Sequence, residues 1–120
     1  MKREEYLTKQ EQFNLVYSTG KSWVGNLLLM KLIPNRLNFS RYGFVVSKRV
    51  GKAVVRNRVK RLLREILRQT SLKPGWDIVF YARPTAASAN FSELKKLILS
   101  LLSQAQLLVE NYEKVRSRTN

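Results

Sequence analysis

The chain has 120 residues, enough for one domain with its own core and too few for two separately folding units. Its 23 Lys and Arg against 8 Asp and Glu give a net charge of +15, and a surface so positive is ordinarily matched to a polyanion whose released counterions drive association. With no Cys and no His, disulfides, thiolate nucleophiles, imidazole bases and the usual zinc sites are excluded, and no stretch reaches the roughly 18 apolar residues of a membrane-spanning helix, so the cytoplasm is the expected compartment.

In chain order, Thr8-Lys-Gln-Glu11 has the form of a capping box, and Phe13, Val16 and Tyr17 recur at helical spacing until Gly20. The apolar run from Trp23 to Ile33 predicts one largely buried strand, stopped by Pro34-Asn35. Tyr42 to Ser47 predicts a second strand, reached through a polar hairpin-like loop. After the break at Gly51, Val54 to Gln69 has helical periodicity and ends before Lys73-Pro-Gly75. Asp77 to Ala82 is a third strand, ended by Arg83-Pro84. Asn90-Phe-Ser-Glu93 opens a long helix toward Tyr112.

In that last helix Phe91, Leu94, Ile98, Leu101, Ala105, Leu108 and Tyr112 step by three and four, as a coiled coil would. Leu97, Leu102 and Val109 widen the stripe, which favours packing on the protein's own sheet. Residues 1–7 and 114–120 are expected to be flexible tails of a single domain. The order α-β-β-α-β-α points to an α+β sandwich, with helices packed on a short sheet.

The helix over 55–69 has two separable stripes at about 100° per residue. Val55, Val59, Leu62, Leu63, Ile66 and Leu67 share one side, while Asn57, Lys60, Arg61, Arg64 and Arg68 gather on the next. A merely solvated face mixes signs. This one has a single acid, Glu65, among six Arg and Lys from Arg56 to Arg68, and the planar Arg fork suits phosphate. Ahead of it, Ser47-Lys-Arg-Val-Gly-Lys-Ala53 lacks the glycine spacing and the hydroxyl of a Walker loop, yet free amides at a helix start hold phosphate, so Lys48, Arg49 and Lys52 extend the basic surface.

The 25 residues from Arg41 to Glu65, centred on Arg56-Asn57-Arg58 after Ser47-Lys-Arg49, resemble the signature of the bacterial ribonuclease P protein family. The likeness extends to Phe13, Tyr17 and the stretch from Asp77 to Pro84. It implies the family's α-β sandwich with a left-handed strand-helix-strand crossover, although the right hand is the rule in about 98% of parallel units. It further implies a subunit of ribonuclease P that binds the catalytic RNA through Lys48, Arg49, Lys52, Arg56, Asn57, Arg58, Lys60, Arg61, Arg64 and Arg68. A groove with Phe13, Tyr17, Arg41 and Ser47 would take the 5′ leader of precursor tRNA, with unpaired bases stacked on the rings. Core packing is the competing role for Phe13 and Tyr17. Removal of the leader would be catalysed by the RNA with Mg2+, no catalytic residue, cofactor or metal ligand being assigned to this chain, and no obligatory protein partner is implied.

Three other functions compete. A self-sufficient nuclease would need clustered carboxylates, and the acids here are scattered along the chain. A ribosomal or DNA-binding protein would be equally basic, and an amphipathic basic helix can lie on a membrane. The apolar stripe of the second helix is better used by the core.

Overall fold

The computed structural model describes residues 5–109. Helix α1 (Gln10–Thr19) leads into β1 (Lys21–Val24), β2 (Leu28–Pro34) and β3 (Arg41–Val45); α2 (Ala53–Arg68), β4 (Trp76–Ala82) and α3 (Phe91–Gln104) follow. The four strands form one sheet in the order β1-β2-β4-β3. Strand β4 is antiparallel to β2 and parallel to β3, so β3, α2 and β4 make a crossover unit.

Alternation along the strands gives the sheet two faces. Leu28, Met30 and Leu32 of β2 and Ile78 and Phe80 of β4 meet Val59, Leu63, Ile66 and Leu67 of α2 and Leu94, Ile98, Leu101 and Leu102 of α3 in the main core. The opposite face is covered by α1, where Leu7, Val16 and Val79 are buried with Phe13, Ile33, Val45 and Tyr81 around them. Both helices of the main layer therefore bury the stripes that their periodicity marks.

Several features depart from the sequence-based expectations. The run from Trp23 to Ile33 is a hairpin and not one strand: Gly25-Asn26 turns the chain, the Gly25 N–H donates to the Leu28 carbonyl at 2.8 Å, and the order becomes α-β-β-β-α-β-α. Strands β2 and β3 are not hairpin neighbours, because β4 lies between them. Helix α1 starts one residue later than the expected box, with Lys9 as N-cap and Gln12 Oε1 accepting from the Thr8 and Lys9 amides at 3.0 Å. Residues 5–7, expected as part of a tail, lie along β3, with a Tyr6–Tyr42 bridge and the Leu7 N–H on the Tyr42 carbonyl at 2.7 Å.

Helix α3 also stops at Gln104, well short of Tyr112, which is outside the described residues together with 114–120. Gln106 takes φ 60°, the Leu107 N–H reaches the Leu102 carbonyl, and the Gln106 N–H reaches that of Ser103. This is a Schellman ending with Gln in the left-handed position usually held by Gly. Ala105 and Leu108 consequently pack on the core from outside the helix, and Leu108 bridges to Leu72.

Candidate nucleic-acid interface

The six cations from Arg56 to Arg68 on α2 are not equivalent. Arg56 Nε donates to the Gly51 carbonyl at 3.1 Å, which ties the helix to the turn before it. Arg58 reaches across to the carbonyls of Ala87 and Ala89, at 3.4 and 2.9 Å, and so anchors the 3-10 turn Pro84–Ser88 that precedes α3. Arg68 pairs with Glu65 one turn back. Lys60, Arg61 and Arg64 have no hydrogen bond or ion pair among the described residues, and Asn57, Arg61 and Arg64 are exposed. Arg61, Arg64, Glu65 and Arg68 line a shallow cavity with Tyr6, which the pairing of residues 5–7 to β3 brings there.

Helix α2 begins without a side-chain cap. Ser47 precedes a 3-10 turn at Lys48–Val50, whose Lys48 and Arg49 are exposed, and Gly51 takes φ 152°. A residue with a Cβ is strained there, and its Cβ would also lie 3.1 Å from the Val55 side chain. The glycine thus sets the angle at which the helix leaves the turn. The uncapped first-turn amides of α2 and the exposed Lys48, Arg49 and Lys52 make one electropositive end, continuous with the row of unpaired cations.

On the other face of the sheet, α1 packs across the strands. Phe13 lies directly over Gly43, where a built Cβ would stand 2.4 Å from the ring. The missing side chain is what lets the helix approach β3. Gly43→Ala is expected to destabilise the protein by about 1–3 kcal/mol through overpacking. Urea unfolding checks it: the midpoint should fall at unchanged slope, and Phe13→Leu in the same background should return part of the loss.

Tyr17, one turn further along α1, is 63% exposed. Its ring meets that of Tyr81 on β4 edge-on at 6.0 Å, and Lys31 Nζ stands 4.1 Å from its centroid while donating to the Tyr17 carbonyl. Burial, and secondarily Tyr17, pushes the Tyr81 hydroxyl up to about 12. This face therefore joins an accessible ring to a cation. Arg41 belongs to the same face but gives Nε and Nη2 to the Asp77 carboxylate at 2.8 and 2.7 Å, so it is a strut first and a donor second. Ser47 is exposed beyond the end of β3.

Tyr81 was not among the residues singled out from sequence, and Lys31 was noted only as standing, with Leu28 and Met30, in the region where the resembled family often has an aromatic. The signal for Lys31 was present: one cation at the centre of an apolar strand must point away from the main core, hence into the α1 face. Tyr81 gave none, since a tyrosine near the end of a buried strand is ordinary packing. Among the described residues no group of three or more His, Cys, Asp or Glu comes together in a way that could hold a metal ion.

The Ribonuclease P family model matches residues 1–106. The ribonuclease P protein component of Dehalococcoides mccartyi is 48% identical over 120 residues, covering the whole of both chains. That of Alkaliphilus oremlandii is 44% identical over 110 residues, 90% of this chain and 96% of the relative. Among solved structures, the RNase P protein of Thermotoga maritima superposes with a TM-score of 0.76 at 30% identity, covering 89% of this chain and 99% of that one. The Staphylococcus aureus protein gives 0.79 at 25% identity over 88% and 98%. A basic helix with unpaired guanidinium groups and a family match across nearly the whole length agree: the chain belongs to the ribonuclease P protein family, accessory subunits that work with the enzyme's RNA in tRNA processing.

Proposed function

We propose that the two faces of the domain serve two RNAs: α2 and the turn before it dock on the catalytic RNA, and the groove under α1 takes the 5′ leader of precursor tRNA. The observation that carries the reading is the exposed Tyr17 ring beside Lys31, on the face of the sheet away from α2. A base stacks on an accessible ring with little regard to sequence, and an adjacent ammonium neutralises its phosphate. Arg41 and Ser47 border the same groove, and Phe13 positions α1 over it. The chemistry of leader removal, with the Mg2+ that such an RNA-based enzyme uses, belongs to the RNA, and the working compartment is the cytoplasm.

The test compares precursor and mature tRNA, each with the catalytic RNA, with and without this subunit. The subunit is expected to raise affinity for the precursor and to leave mature tRNA nearly unchanged, because only the precursor has a leader. Equal gains for both would refute the groove. Assembly with the catalytic RNA should weaken linearly in log salt, with a slope of about −0.7 to −0.9 for each phosphate neutralised.

A further inference from the structure

The hydroxyl oxygen of Tyr81 has less than 1 Å² of accessible surface and no hydrogen-bond partner, the one side-chain atom of that kind among the described residues. Water does not reach it, and no backbone or side-chain group meets it. A phenylalanine would fill the same space without a stranded polar atom, so in the free protein the hydroxyl is a net cost to stability. Buried groups in this condition call for an explanation, and the neighbours of Tyr81 supply one. The rest of its side chain is only partly buried, and the Tyr17 ring, set edge-on against it at 6.0 Å, is itself mostly exposed. Tyr17 lies against Tyr81 on this face and is held by Lys31 through its carbonyl and its ring.

We infer that Tyr81 is a specificity-determining residue of the groove: when a leader base displaces or turns the Tyr17 ring, the uncovered Tyr81 hydroxyl donates to a ring nitrogen or exocyclic oxygen on the edge of that base. The inference rests on the leader-groove reading above. Stacking on Tyr17 alone accepts any base, whereas one fixed donor favours the bases that present an acceptor to it. A tyrosine hydroxyl is protonated at neutral pH and so is available as a donor. Lys31, beside the same ring, is placed for the phosphate of the nucleotide so held.

The test is Tyr81→Phe, read in two ways whose signs are opposite. Removing an unsatisfied buried hydroxyl should raise the melting temperature of the free protein by about 4 °C or more. The same change should lower affinity of the holoenzyme for precursor tRNA by about five- to tenfold, the worth of one hydrogen bond, leave mature tRNA unchanged, and flatten the preferences found when each leader base is varied in turn. In a Tyr17→Leu background the hydroxyl is already open to water, so Tyr81→Phe should no longer stabilise. A melting temperature that does not rise, or a leader preference that survives in Tyr81→Phe, overturns the inference while the wild-type preference for precursor stands. If the wild-type protein itself binds precursor and mature tRNA alike, the groove reading fails and this inference with it.

Discussion

Replacing Arg61 and Arg64 together with Ala is expected to weaken assembly with the catalytic RNA by at least about 30-fold while the free protein melts within a few degrees of the parent. Hydrogen bonds from charged donors are worth about 1.5–3 kcal/mol each, and these two guanidinium groups have no partner within the described chain to fall back on. Their removal takes nothing from the core, since Val59, Leu63, Ile66 and Leu67 carry the buried stripe of α2. It also relieves some of the self-repulsion of a chain at +15. Besides the affinity, the slope of log K against log salt should fall by nearly two, one phosphate for each arginine. Lys95→Ala with Lys96→Ala on α3 removes the same charge elsewhere and is the control. Equal losses from the two pairs would mean that total charge and not the α2 face governs docking.

The second large effect concerns folding. Asp77 is buried, accepts two bonds from Arg41, and takes a third from Asn35 Nδ2 at 2.9 Å. It stands where β2, β4 and β3 run side by side, opposite Ile33 and Arg41. Asp77→Ala leaves a mostly buried guanidinium without its counterion and leaves the Asn35 amide only its longer bond to the Phe39 carbonyl, at 3.3 Å. The expected loss is about 3 kcal/mol or more, which lowers the melting temperature by more than about 10 °C. Combining it with Arg41→Met removes the unpaired charge, so the double variant should be more stable than Asp77→Ala alone. Calorimetry on the parent and the two variants decides it, and a double variant less stable than Asp77→Ala would show that Arg41 supports the fold through contacts other than the carboxylate.

Much of this architecture was legible because it is written in periodicity. The stripe on α2 was assigned from sequence residue by residue, and Asn90 with Glu93 form the reciprocal cap expected of them at 2.9 Å in each direction. What was missed depends on geometry that residue type does not encode. The Gly25-Asn26 turn is hidden inside an apolar run, and the end of α3 uses Gln106 where a glycine would have announced it. The place of β4 between β2 and β3 is a tertiary choice between equally apolar strands. For the site, spacing identified the basic row but not the division of labour within it. Arg56 and Arg58 have the composition of RNA ligands, and only the positions of the Gly51, Ala87 and Ala89 carbonyls show that they also hold the protein together. Loss of RNA binding on changing Arg58 would therefore mix a lost contact with a loosened 3-10 turn, whereas Arg61 and Arg64 report on binding alone.

The central position of β4 has a consequence for synthesis. Strand β3 pairs with β4 and not with β2, which leaves the nascent chain able to join neighbouring strands of the sheet only at the β1–β2 hairpin until Trp76–Ala82 has emerged. Up to that point the apolar stripe of α2 has half a sheet to rest on, and α3 has still to be made. The chain therefore folds late in its translation, through pairings distant in sequence that form slowly. During that interval its arginine-rich segment is already outside the ribosome and open to polyanions, so an RNA partner meets a chain whose charge is complete before its core is.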